Sequence, residues 1–223
     1  MMEKKIQTRF YDVNLETREA EETGTITGRP IVYNQVTDLG YFDEMIMDGA
    51  LDNTDLTDVR LCLNHDTSYV YARSRRNNPR STMRLNPNAF GLDIEADLNI
   101  KSSPKAQDFF SAIQRGDIDK MSFMFLIDEE EWENMDTDHP LRKIRSISKV
   151  YEVSAVTFPA YEQTEINARS KEELESYRSS LESGGKARSL DSGKAGDDIE
   201  TKKREEREAL ELAKLKAKIT GGI

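Results

Sequence analysis

Alternation of apolar and polar positions is the strongest signal in this chain, and it predicts a β-rich fold. From Lys120 to Ile127 the residues alternate with a period of two, placing Met121, Phe123, Phe125 and Ile127 on one face and Ser122, Met124 and Leu126 on the other. Residues 91–98 alternate strictly and predict a half-exposed strand. Glycine-punctuated, β-branched residues 23–33 predict another, as do 58–66, 70–74, 82–85 and the long stretch 141–157, which Pro159 closes. Residues 42–51 predict a short strand and then a helical turn opened by Asp48. Before all of these, residues 1–22 predict an entry strand and a charged turn. One helix stands out. Ser103 can cap it, Pro104 fits its first turn, Ala106, Phe109, Phe110 and Ile113 form its stripe, and Gly116 ends it. An acidic hairpin over 128–140 holds the single tryptophan, Trp132.

Beyond Arg169 the pattern fades into Ser, Gly, Lys and Glu, and no aromatic residue follows Tyr177. Such composition cannot bury enough surface to offset its ordering entropy. The expected organisation is a folded domain over 1–169, a flexible linker over 170–200 and a charged helical tail over 201–223, too short and polar to be stable alone.

Composition narrows the functions open to the chain. Of 223 residues, 36% are hydrophobic and 33% charged, with a formal net charge of -10. An acidic chain repels phosphate backbones, so no nucleic-acid partner is expected. Nothing resembles a signal peptide or a membrane span, so the expected location is cytoplasmic, with no membrane partner. Cys62 is the lone cysteine, which excludes intrachain disulfides and zinc–cysteine clusters. It lies within a predicted strand and reads as a small buried apolar residue. No glycine pattern cradles phosphate and no histidine pair has metal-ligand spacing, so no cofactor and no metal is expected.

What remains is nucleophilic chemistry. A serine on a buried strand face needs a partner, and by itself it is more often a core residue bonded to a nearby carbonyl. It becomes a nucleophile only with a base beside it. Two histidines are available. His65 ends a buried-looking strand, whereas His139 lies in the charged loop 136–140 and reads as exposed. Glu152 shares a strand face with Val150, Ser154 and Val156 by simple alternation, where a carboxylate needs a donor. That donor could be a neighbouring Arg or Lys, or the second ring nitrogen of His65. Asp66 is a rival acid, although strand alternation turns it away from His65, and Ser154 is a rival nucleophile.

Five segments in order carry a resemblance. They are 44–51 (EMIMDGAL), 58–66 (DVRLCLNHD), 91–96 (GLDIEA), 115–125 (RGDIDKMSFMF) and 151–161 (YEVSAVTFPAY). From about Gly24 to Arg169 the chain resembles the HK97-type prohead serine proteases of tailed bacteriophages. It departs from their pattern at Leu51, where phenylalanine is common, and at Asp48, where proline is frequent. The resemblance implies that His65 and Ser122 are the catalytic pair, and Glu152 is the position matched to the third member, with Asp66 and His139 as alternatives. It also implies a fold similar to the herpesvirus assembly protease, a closed antiparallel β-barrel with a few helices outside. The implied activity is a serine endopeptidase inside the immature capsid. It would cut the scaffolding segment of the major capsid protein, and itself, with self-association possible. The alternative is an inactive, scaffold-like assembly factor that binds coat protein through its tail.

Overall fold

The computed structural model describes residues 6–12, 15–20, 23–76, 78–157 and 159–184. The fold is β-rich α+β. Its strands are β1 (Ile6–Asp12), β2 (Glu16–Glu19), β3 (Gly24–Val32), β4 (Val36–Asp38), β5 (Asp43–Ile46), β6 (Asp58–Leu63), β7 (Ala72–Arg75), β8 (Met83–Asn88), β9 (Gly91–Leu98), β10 (Lys120–Glu133) and β11 (Leu141–Val156). Its helices are α1 (Pro104–Gln114) and α2 (Pro159–Gly184).

One seven-stranded sheet runs β1-β10-β11-β5-β4, with β6 also on β11 and β7 on β6. A four-stranded sheet runs β2-β3-β9-β8. Long β11 organises the first sheet. It pairs antiparallel with β10 along one edge. Its other edge takes β5 beside Leu141–Ile144 and β6 beside Glu152–Ala155, both parallel. The expectation of a closed antiparallel barrel is corrected in its strand pairing. Two pairings are parallel, and among the described residues the strand order gives two sheets and no closed ring.

The core lies between the sheets. Ile26, Ile31, Leu92 and Ile94 of the smaller sheet pack in one cluster with Phe123, Phe125, Ile147 and Val153 of the larger, and with Phe109, Phe110 and Ile113 of α1. The helix forms as its sequence implies. The Ser103 hydroxyl accepts from the Ala106 N–H at 3.3 Å, and Gly116 takes φ +77° just past the end. On β10 the two faces separate as alternation predicts. Met121, Phe123, Phe125 and Ile127 enter the main core, while Met124 and Leu126 join Ile6 in a separate cluster.

The expected linker over 170–200 is corrected for 170–184, which are helix α2 and pack on the sheet. Leu174 is buried with Leu39, Phe42 and Trp132, Tyr177 stacks on Trp132, and the Ser170 hydroxyl donates to the Leu39 carbonyl at 2.7 Å. Composition misled because the packed face, Ser170, Glu173, Leu174 and Tyr177, keeps helical spacing but is half polar. The expected tail over 201–223 lies outside the described residues.

A buried ionic knot fixes α2 to the strands. Arg142 on β11 donates to Glu173 at 2.7 Å, to Glu44 on β5 at 3.3 Å and to Glu130 on β10. Arg9 on β1 forks onto Glu44 at 2.6 and 2.9 Å. Burying such charges is costly, and mutual pairing offsets the cost only if every member stays in place. Burial alone pushes the Glu173 carboxyl up, but the Arg142 and Arg9 guanidiniums outweigh it and hold the group below its ordinary value.

Two predictions follow from α2. Truncation after Arg169 removes Glu173 and Leu174 and should cost about 2–5 kcal/mol, a fall of several degrees in the thermal midpoint. Equal midpoints for truncations after Arg169 and after Gly184 would show that α2 beyond Arg169 contributes nothing. Because folding lowers the Glu173 value, its contribution is complete above the ordinary carboxylate range and disappears as pH falls through the lowered one. Denaturant unfolding across a pH series should therefore show a smaller acid-side loss in Glu173→Gln than in the wild-type chain.

Candidate active site

Three elements converge on Ser122. It lies on β10 opposite Phe10 of β1 on one side and Ser154 of β11 on the other. Strand β6 lies beyond β11 and ends at Leu63, where the chain turns sharply. Asn64 and His65 both take positive φ, +50° and +58°, a region that asparagine and histidine tolerate better than most residues. The turn is held on both sides. The Asn64 N–H donates to the Ala155 carbonyl at 2.9 Å, and the Asn64 side chain accepts from the Thr157 N–H at 2.9 Å. This turn swings the His65 ring back over β11.

Glu152 reaches the same place through an irregularity in β11. Met124 pairs with Glu152, but the next residue, Phe125, pairs with Val150, so Tyr151 is an extra residue in the strand. Val150 and Val153 consequently both enter the main core, and Glu152 and Ser154 stay on the Ser122 side. Simple alternation, which put Val150 on the Glu152 face, is corrected by this bulge.

His65 Nε2 lies 2.7 Å from Ser122 Oγ, and His65 Nδ1 is hydrogen-bonded to Glu152 Oε1. A carboxylate has no proton to give, so Nδ1 carries the hydrogen and donates, and Nε2 is left to face the hydroxyl. All three residues are buried, with relative exposures of 0% for Ser122, 4% for His65 and 2% for Glu152. The Ser122 hydroxyl also donates to the Arg9 carbonyl at 2.8 Å. The core-serine reading and the base-paired reading therefore both describe Ser122.

Glu152 is opposite Arg60 in the β6 register, yet Arg60 bonds Asp58 at 3.1 Å and the glutamate turns to His65. The Ser154 hydroxyl donates to the other Glu152 oxygen at 2.6 Å. Cys62 lies alongside, wholly buried. Burial pushes its thiol well above the ordinary range and neighbouring Glu152 pushes it further, so it stays protonated and is no nucleophile.

The rival residues lie elsewhere or bond differently. Asp66 is exposed and accepts from the Ser68 N–H at 2.9 Å. It is the turn at His65, rather than strand alternation, that separates Asp66 from the imidazole. His139 is exposed and lies 3.1 Å from Asp43. With Asp38 these two form the one group among the described residues whose potential metal-ligand atoms lie within 4.8 Å of one another, an arrangement that exposed ion pairs adopt without a metal. Two contributors to the site were not legible in the sequence: the Arg9 carbonyl, which arrives through a non-local strand pairing, and the Tyr151 bulge.

Among the described residues no helix is long and apolar enough to cross a membrane. No curated protein and no solved structure matches the chain. A family model described as caudovirus prohead serine protease does match, over residues 12–179, a span that contains Ser122, His65 and Glu152. With three quarters of its length covered by that match, and a buried serine, histidine and carboxylate in one hydrogen-bonded line, the chain belongs to the caudovirus prohead serine protease family and is a serine protease.

Proposed function

We propose that this chain is the endopeptidase that cuts the scaffolding segment of its phage's major capsid protein within the prohead, and that it also cuts itself. Ser122 is the nucleophile, His65 the general base and then acid, and Glu152 the carboxylate that orients the ring. The single observation that supports this most is the continuous line from Ser122 Oγ through both His65 nitrogens to Glu152.

The chemistry proceeds in two halves. As Ser122 Oγ attacks the scissile carbonyl, its proton passes to His65 Nε2, and Glu152 stabilises the imidazolium. The imidazolium then protonates the leaving amine, and an acyl group remains on Ser122. Water, activated by the same Nε2, releases it. The hydroxyl has a single proton and two acceptors in reach, the Arg9 carbonyl and Nε2. Only the rotamer that donates to Nε2 is productive. Substrate must also reach a hydroxyl that is fully buried at rest.

Ser122→Ala should fold normally and leave co-expressed coat protein uncut; cutting at the normal rate would remove Ser122 from its role. Glu152→Gln should lower turnover by about 10³–10⁴-fold, since an amide holds the ring in the wrong tautomer. Asp66→Asn and His139→Ala should change it by less than about tenfold, because neither touches the ring. If His139→Ala is the crippling change, the acid has been misassigned.

The pH dependence has a definite sign. Protonated Nε2 cannot accept from Ser122, so the rate of serine labelling by a fluorophosphonate probe should fall as pH drops through the histidine range. A rate that does not change across that range would refute His65 as the base.

A further inference from the structure

Ser154 lies between the base and the acid and belongs to neither role. Its hydroxyl is fully buried. It donates its one proton to Glu152 Oε2 at 2.6 Å and accepts from the His65 backbone N–H at 3.1 Å. Both directions are fixed without ambiguity, because an amide N–H can only donate and a carboxylate can only accept. The same two bonds remove Ser154 as a rival nucleophile. It meets the His65 main chain, while the His65 ring reaches Ser122.

Each bond controls a different degree of freedom. Glu152 has two oxygens; the His65 ring holds Oε1, the Cys62 thiol lies within hydrogen-bonding reach of the carboxylate, and Ser154 bonds Oε2. The Ser154 proton pins Oε2 and so fixes the oxygen offered to Nδ1. His65 stands second in a pair of left-handed residues, a backbone state that costs roughly 1–2 kcal/mol per residue and persists only where neighbours hold it. The Asn64 contacts to Ala155 and Thr157 hold the first residue, and the Ser154 oxygen holds the second.

We propose that Ser154 is a positioning residue for the proteolytic reaction, one hydroxyl that sets both the His65 backbone and the Glu152 carboxylate. The inference rests on the Ser122–His65–Glu152 reading above. It differs from a packing role in its electrostatic consequence. The Ser154 O–H dipole turns its positive end towards Glu152 and so spreads the carboxylate charge that stabilises the imidazolium. Without it, Glu152 attracts a proton on His65 more strongly, and the ring should titrate at higher pH. Other charged and titratable groups near the pair are the Cys62 thiol, the Arg60 guanidinium, which is bonded to Asp58, and exposed Asp66. None of them is altered by a change at Ser154.

The test uses the full chain and two readouts. One is the rate at which a fluorophosphonate labels Ser122 across pH. The other is the His65 ring titration by ¹H–¹⁵N NMR, assigned against His139→Gln, since there are only two histidines. Ser154→Ala should slow labelling about tenfold to a hundredfold, the loss expected when a hydrogen bond to a charged group is removed. It should also move the acid limb and the ring titration upward together. Ser154→Thr, which keeps the hydroxyl, should restore both. If Ser154→Ala does not fold, Ser154→Cys keeps the volume with a weak donor and should show the same direction of change. A wild-type chain that labels at Ser122, with Ser154 variants that share its rate and titration, overturns this inference alone. A wild-type chain that the probe does not label at Ser122 overturns the triad itself, and this inference with it.

Discussion

The two edges of β11 are the constraint on which the site depends. One edge takes β10 antiparallel and the other takes β6 parallel, so Ser122, Ser154 and Cys62 stand in a row across three strands. A shift of one residue in either register would turn Ser122 or Ser154 to the opposite face of the sheet. Apolar burial guards against that shift. Phe123 and Phe125 on β10, and Val150 and Val153 on β11, lock the opposite face into the core. The polar side of these strands is thus positioned by what the apolar side cannot give up.

Two buried hydrogen-bonded systems lie on this sheet, one on each face, and β1 joins them. The Arg9 guanidinium is part of the ionic knot with Glu44, Arg142 and Glu173, while its carbonyl accepts from Ser122. Each system follows the same rule: a buried charge survives only with its donors and acceptors supplied. Glu152 receives from the His65 ring and the Ser154 hydroxyl, and Glu44 receives from two guanidiniums. The knot holds the sheet edge and α2 together, and the Ser122–His65–Glu152 hydrogen-bonded line lies on the strands so held. Both systems therefore meet at Arg9, whose carbonyl bonds Ser122 and whose side chain bonds Glu44.

Burial also bears differently on a hydroxyl and on a thiol in this sheet. A hydroxyl needs no charge of its own until the moment of attack, so it tolerates full burial beside apolar residues. The thiol of Cys62, two strands away in the same row, is driven away from ionisation by burial and by Glu152. The two ends of one row thus differ in their partners: Ser122 faces the His65 ring, and Cys62 faces Glu152.

Local pattern in the sequence determined the elements that depend on local physics. The period-two faces of β9 and β10, the Ser103 cap and stripe of α1, and the lone hydroxyl at Ser122 on an apolar face were all legible, because propensity and alternation act over a few residues. Five short segments in order identified the family as well. Tertiary structure decided what depends on distant strands: parallel pairing at β11, the Tyr151 bulge that leaves Glu152 on the Ser122 side, and the left-handed turn at His65. It also decided the packing of α2, whose packed face is too polar to stand out until Arg142, Trp132 and Leu39 are brought beneath it. The physical reason is common to all four. A bulge, a register or a buried ion pair is stable only through partners far away in the chain, and no window of sequence contains both halves of such an interaction.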